Sequence, residues 1–133
     1  MAYITFFTLV VMLGGMVTFQ ILFAPLLFTQ LGKENFSTFI RAFFPWYYIY
    51  FGLLNLILFA SFIVQSILGQ SDWFLIFLSG FSLLGFYVSR QILMPKANEA
   101  SDAGEKKAFD RYHRSTVIIN TIQLFIVIYL IWP

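Results

Sequence analysis

Four long apolar stretches, residues 2–28, 42–68, 73–94 and 115–132, restrict this chain to one class of fold. Each is long enough to cross a hydrocarbon core of ~30 Å, which takes ~20 helical residues. Inside lipid the backbone has only itself to bond to, so each stretch is expected to be an α-helix. All eight Lys and Arg residues fall in two of the connections. The first holds Lys33 and Arg41. The third holds, or is bounded by, Arg90, Lys96, Lys106, Lys107, Arg111 and Arg114. In a chain of four spans these two connections share a side. The positive-inside rule therefore puts loops 29–41 and 90–114 in the cytoplasm and both chain ends on the non-cytoplasmic side. The expected fold class is all-α, a four-helix integral membrane bundle forming a single transmembrane domain over residues 1–133.

With 60% hydrophobic and 11% charged residues, the composition departs from the globular average in the direction of a bilayer protein. The net charge of +2 reads as a topology signal. Nucleic-acid binding needs a basic face on a folded domain, and no segment supplies one. The absence of cysteine removes disulfides and thiolate metal sites. The first stretch is expected to be a span and not a cleaved leader, because it exceeds the ~7–15 apolar residues of a signal core and has no basic region before it.

Local features refine the bundle. In the first span Gly14, Gly15 and Thr18 form a small-residue set for close helix approach, and Pro25 should kink or loosen the last turn. Pro45 suits the first turn of the second span. Trp46, Tyr47, Tyr48 and Tyr50 read as an inner aromatic belt, with Trp73 and Trp132 at the opposite interface. Ser79, Ser82, Gly85 and Ser89 form a second small stripe. Met94-Pro95 should end the third span, since a residue before proline resists the helical region. Asp102 and Glu105 resemble a capping box, which predicts a fourth helix from near Ala103 to Trp132, with Asp110 and Arg114 placed to pair. Pro25 and Phe39 are separated as Pro95 and Phe109 are, with Phe43 and His113 four residues on. That echo suggests two hairpins of like orientation.

No acid or base lies deep in a span, which argues against a proton-coupled pump. The neutral polar residues Gln20, Asn55, Gln65, Asn120 and Gln123 are expected to bond between helices; the alternative is a polar pocket open to the cytoplasm. His113 shares a helix face with Thr116, Val117 and Asn120 and is expected, with Asn120, to face the interior. Asn120 should then donate to the Ile21 carbonyl freed by Pro25. A lone histidine completes neither a metal site nor a bis-histidine haem. No catalytic constellation, metal or cofactor is expected.

Gly14-Gly15, Phe19, Pro25 and Leu27-Phe28, then Phe43-Phe44-Pro45 with Tyr47-Tyr48, then Pro95, Phe109, His113, Ser115 and Asn120-x-x-Gln123 together resemble the transmembrane protein 205-like family. The bacterial members of that family of small four-helix membrane proteins are catalogued as a domain of unknown function. The resemblance implies a four-helix membrane bundle and no agreed activity; the expected location is the bacterial cytoplasmic (inner) membrane. The resemblance also marks Gly15, Pro25, Pro45, Pro95, Phe109, His113 and Asn120 as positions that matter. A more distant likeness is to the HemJ-type protoporphyrinogen oxidases, which carry a first-span histidine and a deeper lysine. Residues 2–28 have neither.

Three functions remain in view. The leading one is a non-catalytic accessory subunit or homo-oligomer of a membrane assembly, motivated by 18 Phe residues that one small bundle has limited room to bury. The second is a binder or carrier of a hydrophobic small molecule, a lipid or a quinone. The third is a haem-linked oxidoreductase. Expected partners are membrane lipids with other membrane subunits or further copies of the chain.

Overall fold

A computed structural model describes residues 2–132, and the described residues contain helices and no strand. Helix α1 spans Tyr3–Thr18, α2 Ala24–Ile67, α3 Trp73–Val88, α4 Met94–Asp102 and α5 Lys106–Ile131, with π-helical turns at Phe19–Phe23 and Ser89–Leu93. Three helical stretches are long and apolar enough to cross a membrane: Tyr3–Ile67, Trp73–Asp102 and Lys106–Ile131.

Both π turns answer a proline. At Pro25 and Pro95 the ring removes an N–H and would clash with the carbonyl four residues back. The Ala24 N–H bonds Phe19 and the Met94 N–H bonds Ser89, each five residues back. This widening takes the helix past the proline without ending it. Pro25 thus loosens its turn as expected. Met94-Pro95 does not end the third span: Met94 is helical at φ −63° and ψ −47°, and helix continues to Asp102.

The expected first loop is almost absent. Helix occupies residues 29–41 apart from a kink at Gly32, where φ is +76° and ψ is 168°. That conformation is open essentially to glycine alone. The chain folds back there. Phe28 meets Phe36 edge-on at 5.3 Å, Phe19 stacks on Phe43 at 5.1 Å, and Gln65 donates to the Thr5 hydroxyl at 2.7 Å. Thr5 also bonds Ser61. Residues 3–31 and 33–67 therefore run antiparallel. Pro45 consequently lies inside a helix and not in its first turn.

The capping box does not form. Asp102 closes α4 instead, because Gly104, at φ +72°, makes a left-handed stop. The Glu105 N–H bonds Ala100 at 2.9 Å and the Gly104 N–H bonds Ser101 at 3.2 Å, the paired bonds of a Schellman ending. Helix α5 then starts at Lys106, three residues later than expected, and runs unbroken to Ile131.

The echo between halves is a repeat of backbone. Helices α1 and α3 both contain 16 residues and start 70 apart, the π turns keep that spacing, and so do Pro25 and Pro95. The buried positions Leu9, Met12, Met16 and Phe19 correspond to Ser79, Ser82, Phe86 and Ser89. Past the turns the register becomes 72, from Gly32 to Gly104. A Cβ on Gly15 would lie 2.7 Å from Phe51, and one on Gly85 would lie 2.7 Å from Gln123. Phe39 and Phe43 are thus not the counterparts of Phe109 and His113, whose structural equivalents are Ser37 and Arg41. The core gathers Leu9, Met12, Met16, Phe51, Leu58, Phe62, Phe86 and Val127 between the legs of the two hairpins.

Candidate functional site

At the end of the molecule where Gly32 and Gly104 turn the chain, a cleft of about 570 Å³ opens between residues 33–48 of α2, helix α4 and the start of α5. The α2 wall follows from helical spacing: Lys33, Phe36, Ser37, Ile40, Arg41, Phe44 and Tyr48 recur every three or four residues on one face. Helix α4 contributes Met94, Ala97, Asn98 and Ser101, and α5 contributes Lys106, Phe109, Asp110, His113 and Thr116. The rim is charged and the walls below it are largely apolar.

Arg41 fastens α4 over the cleft. Its Nη2 donates to the Asn98 carbonyl at 2.8 Å and lies 2.8 Å from Asp102 Oδ1, while Nε donates to Asn98 Oδ1 at 3.4 Å. Arg41 is 38% exposed and Asp102 67%, so the ion pair itself contributes at most ~1 kcal/mol. It is the ion pair found among the described residues; the anticipated Asp110–Arg114 contact is not formed. Phe109 lies parallel to the His113 ring at 5.6 Å.

Of the candidate binding residues Gly15, Gln20, Pro25, Pro45, Asn55, Pro95, Phe109, His113, Asn120 and Gln123, only Phe109 and His113 line this cleft. His113 is exposed and does not enter the bundle interior, because the first turns of α5 flank the cleft beyond the packed core. Asn120 is half-buried and accepts a bond from the Tyr47 hydroxyl at 3.2 Å, so its partner is a phenol and not the Ile21 carbonyl. The π turn already accommodates Pro25, and neither Pro25 nor Pro95 is buried.

Asn55 and Gln123 clamp helix α3 from two sides. The Asn55 amide donates to the Ser79 carbonyl and the Gln123 amide to the Ser82 carbonyl, both at 2.8 Å. Their side-chain oxygens, Oδ1 and Oε1, have no partner. Gln65 joins Thr5 and Ser61. These amides bond between helices, and none lines the cleft. Gln20 is half-buried, Gly15 abuts Phe51, and the Pro45 carbonyl accepts from Arg90 Nε at 3.3 Å.

Sequence reasoning assigns Tyr48 only to an interfacial belt and Arg41 only to topology, and it misses the α4 face. The aromatic run divides by direction: Trp46 and Tyr50 are 71% and 53% exposed, whereas Tyr47 and Tyr48 are 4% and 6% exposed. The i, i+3, i+4 recurrence from Lys33 to Tyr48 was the available signal, hidden by reading residues 29–41 as a loop. Among the described residues, no three His, Asp or Glu side chains converge to hold a metal ion.

No curated protein and no solved structure matches the chain. Residues 7–106, well over half of its length, match the family described as a domain of unknown function (DUF4149), and the chain belongs to that family.

Proposed function

We propose that this is a four-span protein of the bacterial cytoplasmic membrane, with both ends outside, that binds an amphiphilic small molecule without transforming it. The kink at Gly32 supports the count of four, since it divides the 65-residue first stretch into two legs, each long enough to cross. The shared position of the turns at Gly32 and Gly104 supports placing the basic segments together in the cytoplasm. The likeness to the transmembrane protein 205-like family is compatible with this arrangement.

The cleft carries the binding reading. Its volume falls within the ~300–1,000 Å³ of small-molecule sites, and it combines apolar walls with a few polar groups at one end. Ser101 lines it and is exposed, so Ser101→Trp should fill the mouth without disturbing packing. Mass spectrometry of the native protein in mild detergent should reveal a bound amphiphile that this variant loses. Equal occupancy in both would refute the reading. Alkaline phosphatase fused after Pro133 should be active, and an inactive fusion would refute the topology.

A second reading, the accessory subunit or homo-oligomer, draws on the aromatic surface. Phe6, Phe7, Phe23, Phe28, Phe77 and Phe81 are all exposed, more rings than interfacial anchoring requires. Co-purification of a membrane subunit at fixed stoichiometry would favour it.

A further inference from the structure

The rim of the cleft has two signs of charge, and they are not paired with each other. Arg41 is occupied by Asp102 and Asn98. The remaining rim charges are Lys33, Lys106, Glu105 and Asp110, all exposed, and no ion pair joins them among the described residues. Helix α5 begins at this rim. Its N-cap residue, Glu105, makes no side-chain bond to the first turn. The Lys106 N–H is taken by the Gly104 carbonyl, but those of Lys107 and Ala108 have no backbone acceptor, so the α5 start presents two free N–H groups and the positive end of a 26-residue helix beside Lys33 and Lys106, a setting that favours a phosphate. One turn further along, Asp110 supplies a carboxylate on the same rim. Beneath lie Ile40, Phe44, Met94 and Ala97, with Tyr48 and Thr116, the last cleft residues along α2 and α5, farthest from the rim.

Resting on the reading of the cleft as a binding site, we propose that its occupant is a membrane phospholipid with a primary-amine zwitterionic head, a phosphoethanolamine. A purely anionic head would set its phosphate against Glu105 and Asp110 as well as the lysines. A purely cationic head would face Lys33 and Lys106. A head bearing both charges pairs each with its opposite. A primary ammonium also donates charge-assisted hydrogen bonds to carboxylates, which a quaternary ammonium cannot do. The acyl chains enter along the apolar walls. The head lies at the membrane surface, where the proposed topology puts the basic end.

The test uses the full-length protein in mild detergent, incubated with equimolar dioleoyl phosphatidylethanolamine, phosphatidylglycerol and phosphatidylcholine and analysed by native mass spectrometry. The expected result is retention of the ethanolamine lipid about tenfold over either competitor, equivalent to ~1.4 kcal/mol. The double variant Glu105→Gln, Asp110→Asn should bring that ratio to about one, while Lys33→Gln with Lys106→Gln should lower retention of every phospholipid. All four positions are exposed, so folding is preserved. Equal retention of the three lipids, or preference for phosphatidylglycerol or phosphatidylcholine, with loss in Ser101→Trp would overturn the headgroup assignment and leave the binding reading standing. Retention that Ser101→Trp does not reduce would overturn both.

Discussion

The two hairpins share a backbone and fill it with different chemistry. Where α1 turns Leu9, Met12 and Met16 inward, α3 turns Ser79, Ser82 and Phe86. The residue against the close-approach glycine is Phe51 in one and Gln123 in the other. The first hairpin therefore packs by thioether and aromatic contact. The second packs by small residues that let α2 and α5 reach the α3 backbone with amide bonds. The arms beyond the π turns differ as well. Residues 24–31 carry exposed Leu26 and Phe28, whereas α4 buries Ala97 and Ala100 and is fastened by Arg41. What persists between halves is what backbone geometry demands: a proline after a π turn, a glycine at the fold-back, a glycine at the tight crossing. Side-chain identity elsewhere is free to diverge because more than one filling satisfies the same path.

The turns should separate the halves most sharply. Gly32 occupies a region essentially closed to other residues, so Gly32→Ala should destabilise by about 3 kcal/mol. Gly104 ends a Schellman motif in the ordinary left-handed region, where Gly104→Ala should cause a loss of only ~1 kcal/mol. Thermal unfolding of both variants in one detergent measures the gap, and equal losses would mean that the two turns impose the same constraint.

The crossings come next. In Gly85→Ala the new methyl collides with Gln123 Nε2 and with Ile119 Cγ2 at 3.0 Å, so relief requires moving an amide that holds Ser82. In Gly15→Ala it meets only the Phe51 ring edge. Overpacking accounts for ~1–3 kcal/mol in each, and the disturbed buried hydrogen bond adds ~1 kcal/mol to the second hairpin alone. A larger loss from Gly15→Ala would show that the ring is the stiffer neighbour.

Arg41 and its structural counterpart His113 compare the two arms directly. Arg41→Ala should lower stability by at most ~1 kcal/mol, since its ion pair is exposed. Its clearer signature is faster amide exchange across residues 97–102, as α4 loses its fastening. His113→Ala should leave exchange in both arms unchanged. Acceleration in the His113 variant instead would put the fastening in the wrong residue.

Sequence alone conveyed lengths and inward-facing stripes better than directions and ends. Ser79, Ser82 and Ser89 are buried as the small stripe indicates, and Gly15 makes its close contact while Gly14 has open space around it. Proline misled at Pro95 because its rule assumes a helix of fixed pitch; a π turn changes the pitch and removes the clash. The aromatic belt misled at Tyr47 and Tyr48 because the rule gives depth in the bilayer and says nothing of which side of the helix faces lipid. Asp102 belongs to the helix before Gly104 because one positive φ, invisible in the residue pattern, moved the boundary. The cleft stays hidden because two of its walls, residues 33–41 and 94–102, read as loops, although the recurrence from Lys33 to Tyr48 marks one helical face.

Asn120 carries the smallest expected effect. It lies between the packed core and the cleft, on the second hairpin, and is joined to the first by the Tyr47 hydroxyl at 3.2 Å. Tyr47 is buried and Asn120 half-buried, so the bond is only partly sheltered. Interhelical bonds of this kind in membrane bundles average ~0.6 kcal/mol, because the separated helices find other partners. Asn120→Leu should therefore cause a loss near that average, plus whatever penalty falls on a Tyr47 hydroxyl left without its acceptor. Tyr47→Phe tests this separately. If the contact is a simple bond, each single variant loses stability and the pair of substitutions together loses no more than the larger single loss, since removing both partners leaves no stranded group. Strictly additive losses would mean that Tyr47 and Asn120 act on different neighbours and that the hairpins are joined at this level by ring packing alone.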